Sequence, residues 1–216
     1  MKSQIKKFKH CAKNEIEESV LSYLKTYKDK QGLYIITPKN KEILNNICLK
    51  LGYECKSKIA YVGKSGLTKN TNLFKRPKDE MGWGNFEAAT FVNKIVNFID
   101  PEIKDKYSKI LRQNTRKFIL ENFNIKCIIV ENNIDVSLAE TAMIKAIEPC
   151  LNDKHNFDKM SDSDAKIFID DVFNEIKKSK TIDDIERIYI KTYIPAKNMM
   201  KDDLYPKINY SICLVK

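Results

Sequence analysis

The sequence lacks the cysteine spacings that mark small zinc-binding or disulfide-rich domains. Its six cysteines include no Cys-x-x-Cys pair, which argues against a zinc-finger pattern and against a dense disulfide framework. Cys127 lies in the apolar run 127–130, where we expect a buried, reduced thiol. The six cysteines are Cys11, Cys48, Cys55, Cys127, Cys150 and Cys213.

Long hydrophobic runs are also missing. No apolar stretch approaches the length needed to cross a bilayer, and the basic residues at the N-terminus are not followed by the apolar region of a signal peptide. We therefore expect a soluble cytoplasmic protein without a membrane partner.

A phosphate-binding P-loop is absent as well. Gly63-Lys64-Ser65 has the local appearance of one, but the glycine that a Walker A loop needs five positions earlier is replaced by Lys58. This spacing excludes a nucleotide triphosphatase of that class.

What the chain does have is an excess of positive charge. Lys and Arg number 39 against 29 Asp and Glu, a net charge of +10 with a pI near 9.1. Such an excess favours a polyanionic partner over a neutral metabolite. Charge alone does not decide this, because lysine- and asparagine-rich chains also arise from AT-rich genomes.

The hydrophobic pattern predicts an α/β (α+β) fold: a small, mainly antiparallel three-stranded sheet flanked by helices, with helical insertions and a helical C-terminal extension. We expect an N-terminal helical arm (1–30), a core (31–155) with insertions at about 38–58 and 84–123, and the extension (156–216). The predicted strands are 32–36, 59–62 and 125–130, and a β-like tail covers 208–215. The predicted helices are 15–27, 43–51, 86–99, 102–123, 137–148, 162–178 and 181–193.

Local signals predict where several elements end. Gly52 is placed to terminate a helix and Gly63 to end the second strand. Asp100 and Pro101 suit the start of a helix, and Ser137 with Glu140 forms a Ser-x-x-Glu capping box.

Three short motifs combine residue types suited to phosphate chemistry. Tyr34 follows Gly32-Leu33, and Tyr61 precedes Val62-Gly63; antiparallel pairing allows both rings to share one sheet face, although strand tyrosines more often serve packing. Arg76 precedes Pro77, which favours a position just before a helix, and its planar guanidinium suits a phosphate. Glu140 and, further on, Asn152 complete the set, although a capping box and a turn explain each on its own.

In this order the motifs resemble the GIY-YIG nuclease module of repair incision nucleases, homing endonucleases and some restriction enzymes. The resemblance covers about 32–152. It implies that Tyr34 and Tyr61 are the motif tyrosines, that Lys64 is the lysine common after the second motif and that Arg76 is the catalytic arginine. It further implies that Glu140 is the metal-binding glutamate and that Asn152 supports the site.

The resemblance implies a DNA endonuclease that hydrolyses phosphodiester bonds with Mg²⁺ or Mn²⁺ held by Glu140. Arg76 would neutralise charge on the phosphate, and a tyrosine, with Tyr34 favoured over Tyr61, would orient or deprotonate the water. We expect nearby positive groups to lower the pKa of that phenol.

Three departures from the family pattern stand out. The motif tyrosines are 27 residues apart, which requires the first insertion, and a second insertion separates Arg76 from the third strand. Many members have Tyr or His four residues after the arginine, where this chain has Glu80.

Four further residues are candidates for DNA contact. Arg112, Arg116 and Lys117 place cations on one predicted helix, and Trp83 lies between Gly82 and Gly84 in a predicted loop, where it would stack on bases. Solvated cations and a buried tryptophan are the alternatives.

The sequence leaves three functions open. A sequence-specific, restriction-like endonuclease is favoured by the insertions, because inserted helices can supply groove contacts. A structure-selective repair or homing nuclease shares the chemistry. A catalytically inactive DNA-binding module belongs to a different class, and Glu80 and the tyrosine spacing keep it open. The oligomeric state is not indicated by any pattern in the sequence.

Overall fold

A three-stranded antiparallel sheet packed between helices forms the framework of the computed structural model, which confirms the predicted fold class. The structure describes residues 15–68, 70–84, 86, 88–102, 108–130, 135–152, 174–179, 181 and 184. Among these residues, no helix combines the length and the apolar character that crossing a membrane requires. The elements are α1 (15–25), β1 (Gly32–Pro38), α2 (Lys41–Leu51), β2 (Tyr61–Ser65), α3 (Lys75–Lys78), a π-helix (Asp79–Trp83), α4 (Thr90–Ile99), α5 (Lys109–Asn122), β3 (Phe123–Ile129) and α6 (Val136–Ile147).

Strand β1 lies in the centre of the sheet, in the order β2-β1-β3. It pairs antiparallel on both sides, so that Tyr34 is opposite Gly63 on β2 and Cys127 on β3. At its first residue, Gly32 has φ +152°, and a Cβ there would overlap the Ile128 carbonyl oxygen. The backbones of β1 and β3 come so close here that only glycine, which has no side chain, can be accommodated.

The two faces of the sheet bury separate hydrophobic layers because side chains alternate along a strand. On one face, Tyr34, Ile36 and Tyr61 pack with residues of α2, α4 and α5. On the opposite face, Leu33, Ile35 and Val62 pack against α6. Strand β2 lies at the edge of the sheet and contributes to both hydrophobic layers, with Tyr61 in one and Val62 in the other.

The outer edge of β2 and the residues just before it are paired with the chain that follows α6. The backbone amides of Cys150 and Leu151 donate hydrogen bonds to the carbonyls of Ile59 (3.1 Å) and Ala60 (2.8 Å). This pairing satisfies backbone groups that an edge strand would otherwise expose.

Insertion helix α2 begins and ends as its sequence indicates. The Asn40 side chain accepts a hydrogen bond from the Glu42 amide at 2.9 Å, and Gly52 terminates the helix with φ +75°. The helix lies within the predicted insertion at 38–58, and α4 and α5 lie within that at 84–123. The division of the chain into an arm, a core and an extension stays a prediction.

Several predicted boundaries are wrong. Strand β2 does not end at Gly63 but continues to Ser65. Gly63 has no side chain, which leaves room for the Tyr34 ring on the neighbouring strand. Asp100 ends α4 instead of beginning the next helix, Pro101 and Glu102 form a turn, and α5 begins only at Lys109.

The predicted capping box at α6 is also wrong. The N-cap is Asp135, whose side chain accepts a hydrogen bond from the Ser137 amide at 2.7 Å. Ser137 is therefore inside the helix, and Glu140 takes no part in capping. Of the predicted C-terminal elements, residues 174–178 and 184 are helical; 162–173, most of 181–193 and the tail 208–215 lie outside the described residues.

Candidate active site

The two motif tyrosines lie on the same sheet face, as their register requires. Tyr61 is opposite Ile36, two residues from Tyr34, so the pair is diagonal across the β1–β2 ladder. Their ring centroids are 6.3 Å apart with an interplanar angle of 35°. Tyr34 is 1% exposed and Tyr61 7%.

Burial, rather than positive charge, controls the ionisation of these phenols. Loss of hydration raises the pKa of Tyr34 and of Tyr61 well above its usual value, and the charges of Glu80 and Glu140 raise it further. Arg76 lowers the pKa of both, but its contribution is smaller than that of burial. Arg76 thus lowers the phenol pKa as expected, but burial outweighs this effect, and the pKa of both phenols stays above the usual value.

Arg76 is positioned by a short helix that begins after Asn72. The Asn72 side chain accepts hydrogen bonds from the amides of Phe74 (3.0 Å) and Lys75 (2.9 Å), which organises the first turn. Pro77 lies in the first turn of α3, the part of a helix where proline is tolerated. Arg76 therefore lies within α3, and the predicted position just before a helix is wrong.

Glu80 lies at the centre of a buried network that the sequence did not reveal. Its carboxylate has no exposed surface, and Oε1 accepts a hydrogen bond from the Tyr34 hydroxyl at 3.4 Å. The same oxygen lies 3.3 Å from Arg76 Nη2. Glu80 thus links a motif tyrosine to the motif arginine, at the position where many family members have Tyr or His.

The second Glu80 oxygen caps helix α4. Oε2 accepts hydrogen bonds from the backbone amides of Phe91 (2.8 Å) and Val92 (3.4 Å), which are two of the unpaired donors of the first turn. Burial raises the pKa of Glu80, while Arg76 and these amides oppose that rise. The i,i+4 spacing from Arg76 was the only sequence signal for this role, because the contact with α4 depends on tertiary structure.

Glu140 forms an ion pair with Lys64 on the α6 side of β2. Glu140 Oε2 lies 3.1 Å from Lys64 Nζ; the glutamate side chain is 13% exposed and the lysine 43%. The charge of Glu140 raises the pKa of both Tyr34 and Tyr61. Strand β2 thus lies between the Lys64–Glu140 pair on its α6 side and the Tyr34–Glu80–Arg76 network on the other side.

Asn152 binds the backbone of β2 through both atoms of its amide. Oδ1 accepts from the Val62 amide at 2.9 Å, and Nδ2 donates to the Val62 carbonyl at 2.8 Å. Val62 lies between Tyr61 and Gly63, so Asn152 fixes the strand that holds the second motif tyrosine.

The four residues predicted to contact DNA are already engaged within the protein. Arg112 donates to the Gly84 carbonyl at 2.7 Å and lies over the Phe86 ring. Arg116 donates to Glu17 Oε1 at 3.3 Å and lies over Trp83, 5.6 Å from its ring centroid. These contacts give both arginines a structural role, and DNA contact by them stays a prediction.

Trp83 and Lys117 differ in their exposure. Trp83 follows Gly82, whose φ of +95° breaks the helical backbone, and it packs, partly buried, against the core rather than standing in an open loop. Lys117 is 53% exposed and lies 3.8 Å from Glu121 on the same helix. Of the four residues, Lys117 is therefore the one whose position best suits a phosphate contact.

The donor atoms near β2 fit a hard divalent cation. Glu140 supplies carboxylate oxygen, the ligand type that Mg²⁺ and Mn²⁺ prefer, and its side chain is partly accessible. Lys64 satisfies one of its oxygens and would share the carboxylate with a bound ion. The buried Glu80 is committed to four donors and is the poorer ligand.

A comparison with known protein families gives one match for the chain. Residues 32–172 match the family model described as the GIY-YIG catalytic domain. No match was found among proteins of curated function or among solved structures. The matched range contains β1, β2, β3 and α6, and with them all of the candidate site residues.

Proposed function

Since the chain belongs to the GIY-YIG nuclease superfamily, we propose that it is a metal-dependent DNA endonuclease that hydrolyses phosphodiester bonds. The observation that carries this proposal is the grouping of two charged pairs around the edge strand β2. Lys64 with Glu140 lies on one side, and Arg76 with Glu80 lies on the other next to the paired tyrosines. Phosphodiester hydrolysis needs charge relief at the phosphate and a group that takes a proton from water.

Glu140 would hold the metal ion, either Mg²⁺ or Mn²⁺. When bound, such an ion supplies positive charge that stabilises the leaving oxygen and the pentacoordinate phosphorus. Lys64, which pairs with the same carboxylate at 3.1 Å, orients Glu140 before the substrate arrives.

Arg76 is the residue that would neutralise the non-bridging phosphate oxygens. Its side chain is 27% exposed, and its Nη2 lies 3.3 Å from Glu80 Oε1. Glu80 and Tyr34 orient the guanidinium, and its exposed part would meet the phosphate. Loss of a comparable charge contact costs on the order of 10²- to 10³-fold in rate.

Tyr34 would relay a proton from water to Glu80, so that the phenol would not have to become a phenolate. Because Tyr34 is 1% exposed, substrate binding has to open the site to the attacking water. The Tyr34 oxygen then takes a proton from that water as its hydroxyl proton passes to Glu80 Oε1, which it already faces at 3.4 Å. The phenol stays neutral throughout, so its raised pKa does not prevent the transfer. The resulting hydroxide attacks phosphorus and the P–O bond to the leaving oxygen breaks. The leaving oxygen takes a proton from solvent, and Glu80 returns its proton to solvent. Tyr61 is the alternative base.

The experiment that tests this function uses supercoiled plasmid DNA with Mg²⁺. We expect nicking by the wild-type protein, none after addition of EDTA, and a loss of at least about 10²-fold in Glu140→Ala. Glu121→Gln is the matched control, because Glu121 is an exposed glutamate on α5 without a role in the site. Undiminished nicking by Glu140→Ala would rule out the proposed metal ligand.

We further propose that cleavage is sequence-specific, as in a restriction-type enzyme. The support is the location of α2, α4 and α5 within the predicted insertions, since inserted helices can supply contacts to a DNA groove. Digestion of plasmids of unrelated sequence distinguishes the alternatives. Discrete bands support restriction-like cleavage, and cleavage confined to branched or other special DNA supports a structure-selective nuclease. Binding without any cleavage supports the inactive module.

A further inference from the structure

Three cysteines that are far apart in the sequence meet beside the insertion helix. Cys48 lies on α2, Cys55 follows it in the loop before β2, and Cys150 follows α6. Their sulfur atoms all lie within 4.8 Å of one another, and the Cys55 and Cys150 sulfurs are 3.4 Å apart. None of the three takes part in a disulfide.

We propose that Cys48, Cys55 and Cys150 form a binding site for a thiophilic metal ion, Zn²⁺. The site is separate from the Glu140 carboxylate and goes beyond the proposed nuclease activity. Three soft sulfur ligands select zinc over Mg²⁺ or Mn²⁺, which prefer oxygen. On binding, each of the three thiols releases one proton to solvent, and the resulting thiolates coordinate the ion.

The spacing of the sulfurs suits this ion. Tetrahedral zinc with Zn–S bonds of about 2.3 Å places its sulfur ligands about 3.8 Å from each other. The three sulfurs, all within 4.8 Å, therefore need to move by about 1 Å or less. Cys48 and Cys150 are buried and Cys55 is partly exposed, so an ion would reach the cluster from the Cys55 side, and water would complete the fourth position.

The backbone around the cluster is held in place before any ion binds. The Cys150 amide donates to the Ile59 carbonyl, and the Cys150 thiol donates to the Ser57 carbonyl at 3.2 Å. The backbone hydrogen bonds that pair residues 150–151 with residues 59–60 therefore also fix the position of Cys150. Simple burial of cysteine needs no clustering of sulfurs, whereas a site for a soft ion requires it.

A bound ion would tie the insertion to the chain that supports the active site. Cys48 and Cys55 belong to the insertion, and Cys150 lies two residues before Asn152, which binds the Val62 backbone. Zinc would then act as a structural cross-link, and it would stabilise the folded state because the separated ligands of the unfolded chain bind it weakly.

Cobalt provides the direct test, with full-length protein that has been reduced and freed of metal. We expect one equivalent of Co²⁺ to give the near-ultraviolet absorption of cobalt–thiolate bonds and Zn²⁺ to abolish it by displacement, while Mg²⁺ has no effect. In Cys55→Ser and Cys150→Ser, the affinity for Co²⁺ should fall on the order of 10²-fold or more. Cys127→Ala, a change at a buried cysteine outside the cluster, should bind as the wild type does.

A second measurement does not depend on the folding of the variants. Alkylation of the native wild-type protein followed by peptide mass mapping should modify Cys55 in the absence of zinc and leave it protected when zinc is bound. Absence of thiolate absorption at one equivalent of Co²⁺, equal affinity in both serine variants, or unchanged alkylation of Cys55 would overturn the proposal. A Cys55–Cys150 disulfide without metal uptake after reduction would overturn it too. Nuclease activity plays no part in these readouts.

Discussion

Gly63 lies directly opposite Tyr34 across the β1–β2 pair, and the Tyr34 ring occupies the space that a side chain at position 63 would need. A Cβ at Gly63 would overlap the Cζ and hydroxyl oxygen of the phenol. The glycine of the second motif is thus explained by the tyrosine of the first motif rather than by an unusual backbone angle.

Gly63→Ala should therefore displace the Tyr34 hydroxyl from Glu80. We expect a loss of about 1–3 kcal/mol in the free energy of unfolding, from overpacking, and a fall in nicking rate of at least about tenfold, from the misplaced phenol. Urea unfolding and the plasmid assay measure the two effects. Gly66→Ala is the matched control, because nothing lies within 4 Å of a Cβ at that position. Equal behaviour of the two variants would contradict the steric explanation.

Asn152→Ala should destabilise the protein because it leaves the Val62 amide and carbonyl without their partner. We expect a loss of about 1–3 kcal/mol in the free energy of unfolding. Asn152→Asp should be no better, since its second oxygen would face the Val62 carbonyl in place of the donating amide. Asn45→Ala, an exposed change on α2, should stay within about 0.5 kcal/mol of the wild type. If Asn152→Ala is as stable as Asn45→Ala, the hydrogen bonds between Asn152 and the Val62 backbone do not contribute to stability.

Glu80 should leave a signature in the pH dependence of stability. Its pKa is raised in the folded state from the ordinary value of 4.5, so the folded protein takes up this proton at a higher pH than the unfolded chain does. As pH rises from 4.5 through the folded pKa, the folded state holds more protons, and the Glu80 contribution to the free energy of unfolding decreases.

Comparison with Glu80→Gln isolates this contribution, because the other carboxyls are common to both proteins. The free energy of unfolding of the wild type minus that of Glu80→Gln should decrease as pH rises through the window. Urea unfolding at several pH values from 4.5 upward provides the measurement. A difference that is flat or that increases with pH would contradict a raised pKa for Glu80.

Arg116 and Lys117 are neighbours on α5 with different expected roles. Arg116→Ala removes the contacts with Glu17 and Trp83 and should lower the free energy of unfolding by on the order of 1 kcal/mol. Lys117→Ala should leave stability nearly unchanged and, if α5 contacts DNA, reduce the salt slope of binding by about one. A salt titration of DNA binding measures the second effect. An unchanged slope in Lys117→Ala removes this helix face from the DNA interface.

The elements that the sequence predicted well are those whose signals are local. Helix α2 ends at Gly52 in the left-handed conformation, as its glycine indicated, and the shared face of Tyr34 and Tyr61 follows from strand alternation. Boundaries failed where two local signals competed. Ser137 and Asp135 both suit an N-cap, and only the backbone of α6 shows that Asp135 takes the role.

The sequence by itself determined the alternation of strands and helices, the order of the motifs and therefore the family, because these depend on residues close together in the chain. Tertiary structure alone decided that Glu80 joins Tyr34 to Arg76 and that three unpatterned cysteines meet. It also decided that burial raises the pKa of both phenols. Each of these depends on contacts between distant segments and on the loss of water around them, which no local pattern of residues encodes.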